Sequence, residues 1–121
     1  MIKLNEKDFL RKMKDAIPMS RSDIDRLVTL SIASNVSEEN AIGHRNLIIV
    51  FEELAELQQE ISKWLRGKGN FNHMVEEIAD VQLGIYYVQQ IVGIQDETIQ
   101  QAMAVKMDRL QTEIQKKGHY D

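Results

Sequence analysis

Four carboxylates are set apart by their spacing. Glu53 and Glu56 stand three residues apart in FEELAELQQE, and Glu77 and Asp80 repeat that interval in EEIADV. Residues three apart on an α-helix share a side, with about 5–6 Å between Cβ atoms. Each pair can therefore present two acids in one direction. Two carboxylates about 5 Å apart repel by roughly 3 kcal/mol at an effective dielectric near 20. Four in one space would destabilise the fold unless some were protonated or a cation lay among them. Oxygen-only ligation suits a hard ion, so Mg²⁺, with Mn²⁺ as a substitute, is the expected occupant. Taken singly, each acid is better explained as a solvated helix-edge residue. The repetition of the pair is what points to a site.

Other metal chemistries find no support. Di-iron bundles use Glu-x-x-His motifs, and none of His44, His73 and His119 has a glutamate three positions before it. The chain contains no cysteine, which excludes a disulfide framework, a thiolate metal site and a cysteine nucleophile.

The elements that must position the acids read as helices. Leu, Ile, Met, Gln, Glu and Lys dominate, strand-type alternation is scarce, and the one proline is Pro18, so the expected fold is all-α. A first helix is predicted over Asp8 to Ile17, with Phe9, Leu10, Met13 and Ile17 as its stripe, ending at Pro18. A second runs to about Ala33, capped by Ser20 or Ser22. After a break at Asn35–Ser37, a third spans about Glu39 to Leu65, with Val50, Leu54, Leu57, Ile61 and Trp64 as its core stripe. The segment RGKGN stops it, Gly67 serving as a left-handed cap. A fourth covers about Asn72 to Val92 with Met74, Ile78, Val81, Ile85, Val88 and Val92 inward, and Gly93 ends it. A fifth spans about Glu97 to Lys117, presenting Ile99, Met103 and Leu110.

On these helices Glu53 borders the apolar arc, Glu60 follows one heptad on, Glu56 lies slightly further out and Glu52 points away. Glu77 borders the fourth stripe, and Asp80 sits one turn along. If RGKGN closes an antiparallel hairpin, the pairs lie about 13 and 10 residues from its tip, an axial mismatch of roughly 5 Å. All four acids can then face one space.

With 121 residues and no linker or repeat, the chain reads as one domain, 1–121, forming a bundle of four to five helices. Fifteen basic against nineteen acidic side chains give a net charge of -4, which argues against a nucleic-acid-coating surface. No apolar run is long enough to span a bilayer, and Lys3, Glu6, Lys7 and Asp8 make the N-terminus too charged for a secretory signal. A soluble, cytoplasmic protein is expected.

EELAE at 52–56 followed by EEIAD at 76–80 resembles the EExxE…ExxD signature of MazG-like nucleoside triphosphate pyrophosphohydrolases, the all-α NTP pyrophosphatase superfamily. The resemblance extends from about Ser22 to Ile114 and includes LQQEISKWLRGKG and KMDRL. It implies hydrolysis of the α–β phosphoanhydride of a nucleoside triphosphate to the monophosphate and pyrophosphate. It also implies Mg²⁺ ligation by Glu53, Glu56, Glu77 and Asp80, and assembly as a homodimer or homotetramer in which a neighbour's helices complete the core or the site. Residues 1–19 look like an N-terminal helical addition to the common unit. The chemistry is consistent with the residues, because phosphoryl transfer depends mostly on positioning and charge neutralisation. Glu53 or Glu56 is the expected proton acceptor for the attacking water.

Lys106 falls between Ile99, Met103 and Leu110 on the apolar face, with Arg109 beside it. A lysine directed into a bundle requires an anion, which phosphate would supply; snorkelling to solvent is the alternative. Lys63, Arg66 and Lys68 at the hairpin tip could attract pyrophosphate or simply be solvated. Tyr87, two turns beyond Asp80, is a candidate base or sugar contact, and Gly84 marks a close approach by a helix or a nucleotide. Trp64 is expected to pack, while His44 and Arg45 are expected at the surface. Glu60 is a candidate further ligand. Two other functions fit the same helices: a non-catalytic helical oligomer or adaptor, and an enzyme acting on a phosphoribosylated nucleotide.

Overall fold

The computed structural model describes residues 5–34 and 44–118. Among the described residues five helices occur, in the order α1 (Glu6–Lys14), α2 (Arg21–Ser34), α3 (His44–Leu65), α4 (Phe71–Val92) and α5 (Asp96–Lys116). No strand occurs among the described residues, and the fold is all-α as expected. No described helix is long and apolar enough to cross a membrane.

Side-chain caps set the starts of three helices. The Asn5 side-chain oxygen accepts from Asp8 N–H at 2.8 Å, starting α1 two residues earlier than predicted. That helix ends at Lys14 rather than Ile17, and Ile17 is 89% exposed. Ser20 Oγ accepts from Asp23 N–H at 3.1 Å and begins α2. Asn70 accepts from the N–H groups of Asn72 and His73, fixing the first turn of α4. Gly67 and Gly93 have φ of 72° and 87°, the left-handed conformation that terminates α3 and α4. The predicted start of the third helix near Glu39 falls outside the described residues.

α3 and α4 form the principal packed pair, and α2 lies against α4. Side-chain bonds join α2 to α4: Tyr87 donates to Ser31 Oγ at 2.8 Å, and Thr29 donates to Gln90 Oε1 at 2.6 Å. Arg21 stacks 3.5 Å from the Tyr86 ring centroid and pairs with Asp25 at 2.9 Å and Asp96 at 3.2 Å. Desolvation disfavours its charge, but the hydrogen bond to Asp25 and the two nearby carboxylates outweigh it and raise its pKa. These contacts anchor the start of α5.

The apolar stripes are less enclosed than their periodicity predicts. Val28, Ile32, Val50 and Val81 are buried, whereas Leu54, Ile61, Ile78 and Ile85 are each more than 40% exposed. Trp64, expected in the core, is 55% exposed. Helix α5 is exposed along nearly its whole length, including Met103 and Leu110.

Candidate metal centre

The close approach of α3 and α4 depends on Gly84. A Cβ at that position would lie 3.2 and 3.3 Å from the two methyl groups of Val50, so the missing side chain admits a helix there. With Val50 level with Gly84, the antiparallel register brings Glu53 and Asp80 to within one residue of the same height. Glu56 and Glu77 match equally well. The axial offset is thus about 1.5 Å, smaller than the count from the hairpin tip suggests.

Three of the four acids converge. One carboxylate oxygen from each of Glu53, Glu56 and Glu77 lies within 4.8 Å of the other two. Glu53 is 2% exposed, while Glu56 and Glu77 are part-buried. Asp80 is also buried, at 9% exposure on the following turn, but it lies outside that close group. Its side chain is one methylene shorter than glutamate, which limits its reach. Glu52 is exposed, on the outer side of α3.

The donor set fits a hard divalent ion. Ligands of Mg²⁺ stand about 2.0–2.1 Å from the ion, so donors on opposite sides are roughly 4 Å apart. Three carboxylate oxygens mutually within 4.8 Å can approach one such ion with little rearrangement. The remaining positions would fall to water or to phosphate oxygens.

Flanking this group, Glu60 is 8% exposed and accepts from Lys63 Nζ at 3.3 Å. Lys63 is thus engaged along α3, and with Gln59, Ser62 and Arg66 it lines an open recess on that helix's exposed flank. Tyr87 faces α2, where it lines an apolar recess of about 390 Å³ with Leu27, Val28 and Leu83. Lys106 and Arg109 sit on exposed α5, lining a shallow recess with Leu110 and Glu113. The expectation that Lys106 is headed into the bundle is corrected on this point, because α5 does not pack along the α3–α4 pair. Arg45 is exposed, and the His44 side chain lies outside the described residues.

The sequence reading overlooked Asn46. It is 6% exposed and lies one heptad before Glu53. A polar residue at that interval, on the side of the helix that carries Val50, was the available signal. Comparison of the chain with protein-family models, with curated proteins and with solved structures finds no match in any of the three.

Proposed function

We propose that this chain is a Mg²⁺-dependent nucleoside triphosphate pyrophosphohydrolase of the MazG-like type, cleaving the α–β phosphoanhydride to give a monophosphate and pyrophosphate. The observation that carries the reading is the convergence of Glu53, Glu56 and Glu77 around a glutamate that is 2% exposed. Three carboxylate oxygens gathered within 4.8 Å of one another attract a divalent ion. A helical adaptor gains nothing from such a group.

The bound ion supplies Lewis acidity toward phosphate oxygens and water. The chain's own residues do the rest. Glu53, the most enclosed of the three, holds its oxygen in place by burial and suits ligation. Glu56 is only part-buried and suits proton acceptance from the attacking water. Asp80, level with Glu53 and one turn beyond Glu77, suits contact with a substrate-borne ion beside the group. The occupied form is a homodimer or homotetramer, with another copy covering the exposed α5 and bringing Lys106 and Arg109 toward phosphate.

The test is a panel of nucleoside triphosphates with Mg²⁺, scored for pyrophosphate release, run beside Glu53→Gln and Asp80→Asn. Loss of turnover by at least about a hundredfold in each variant is expected if they hold the metal. Unchanged turnover in both would refute the ligand assignment. An inactive wild type across the panel would favour the adaptor, and activity confined to a phosphoribosylated nucleotide would reassign the substrate.

A further inference from the structure

Three buried polar residues recur one heptad apart along α3: Asn46, Glu53 and Glu60, at 6%, 2% and 8% exposure. Positions seven apart project in nearly the same direction, so the three form one file. Glu53 belongs to the acid group and Glu60 bonds to Lys63. Asn46 is the neutral member: its carbonyl oxygen Oδ1, like Glu60 Oε2, is buried with no hydrogen-bond partner among the described residues, but Glu60 bonds to Lys63 through its other oxygen. A buried acceptor left unmatched is a net loss to the free protein, which an apolar residue of similar volume would avoid. Such a group is accounted for when its donor arrives with a ligand.

We propose that Asn46 reads the nucleoside part of the substrate, Oδ1 accepting a hydrogen bond from a base N–H or a sugar hydroxyl. This inference rests on reading the acid group as a triphosphate site. Asn46 lies about 10 Å along α3 from Glu53, on the side away from the hairpin tip. Lys63, Arg66 and Lys68 lie at the tip end. A triphosphate anchored at Glu53, Glu56 and Glu77 with its terminal phosphates toward those cations extends its nucleoside toward Asn46. A site with an otherwise unmatched polar group discriminates strongly between ligands that satisfy it and ligands that do not.

The experiment uses the full chain and Asn46→Leu, which keeps the branched four-atom shape of the side chain and removes the acceptor. Binding is measured by calorimetry with Mg²⁺ and either tripolyphosphate or non-hydrolysable α,β-imido nucleoside triphosphates, in ribose and deoxyribose forms. The ligand-free melting midpoint should be unchanged or raised, tripolyphosphate affinity should match the wild type, and nucleotide affinity should fall about tenfold. A fall confined to the ribose analogues identifies the 2′-hydroxyl as the donor, and an equal fall in both assigns the donor to the base or the 3′-hydroxyl. Undiminished nucleotide binding by Asn46→Leu, with a wild type that binds nucleotides, overturns this inference alone. A lowered ligand-free midpoint with parallel loss of tripolyphosphate binding also overturns it, since Asn46 would then be structural. A wild type that binds no nucleotide removes the triphosphate reading itself, and the inference with it.

Discussion

Glu53 and Glu56 lie three residues apart yet sit in different surroundings, one 2% exposed and the other part-buried. The two should therefore fail differently when neutralised. A ligand that binds only the folded form adds about 2.7 kcal/mol of stability at a hundredfold excess over its Kd, so Mg²⁺ or Mn²⁺ should raise the wild-type melting midpoint. Glu53→Gln is expected to abolish that rise together with turnover. Glu56→Gln should lose turnover while retaining part of the rise, because Glu53 and Glu77 remain. The pair of melts, with metal and with chelator, checks both variants. A full metal response in Glu53→Gln would remove it from the ligand set. At this scale the acids were readable in advance because three-residue spacing is a helical rule. Which acid would be most enclosed was not, since burial depends on the neighbouring helix and on where it crosses.

That crossing is set by Gly84 against Val50. Alanine at an interior helix position gains about 1 kcal/mol over glycine in propensity, whereas forcing a methyl into a filled contact costs about 1–3 kcal/mol. Val50 is β-branched, buried and confined to one rotamer in a helix, so it has little room to yield to a Cβ 3.2 Å away. Gly84→Ala should therefore destabilise the chain by about 1 kcal/mol, and urea denaturation would measure it. In a Val50→Ala background the obstructing methyls are gone, and the same substitution should become stabilising by about 1 kcal/mol. An unchanged sign would mean that the contact does not govern how α3 meets α4. The mid-helix glycine was visible in the sequence, but its partner was not, because periodicity assigns faces without pairing them. The same gap explains Tyr87, which could be placed on α4 but not against Ser31 of α2. Local capping was partly readable: Gly67 and Gly93 terminate helices as expected, while Asn5 went unrecognised because no strong apolar stripe begins beside it.

Across the whole molecule, exposed apolar surface is the dominant feature. A compact monomer of 14.0 kDa is expected to expose about 6,700 Å², whereas this chain exposes 9600 Å². Much of the apolar part lies on α5, where Met103, Val105, Met107 and Leu110 are 46–60% exposed, and on the α3 and α4 stripes. Periodicity marks such residues as bound for burial without saying whether the cover is the same chain or another copy, which is why the expected core stripes emerge half-exposed. Self-association should therefore be required for stability as well as for the site. The wild-type melting midpoint is expected to fall on dilution, since association stabilises by mass action. Met103→Glu combined with Leu110→Glu, which adds charge to the α5 face beside Lys106 and Arg109, should sediment as a smaller species whose midpoint no longer depends on concentration. If α5 also brings those cations to a neighbour's phosphates, the double variant should lose turnover while dilute samples still respond to Mg²⁺, because Glu53, Glu56 and Glu77 all belong to α3 and α4 of one chain. A wild type that sediments as a monomer at every concentration would leave the α5 face without a covering copy and would detach Lys106 and Arg109 from the site.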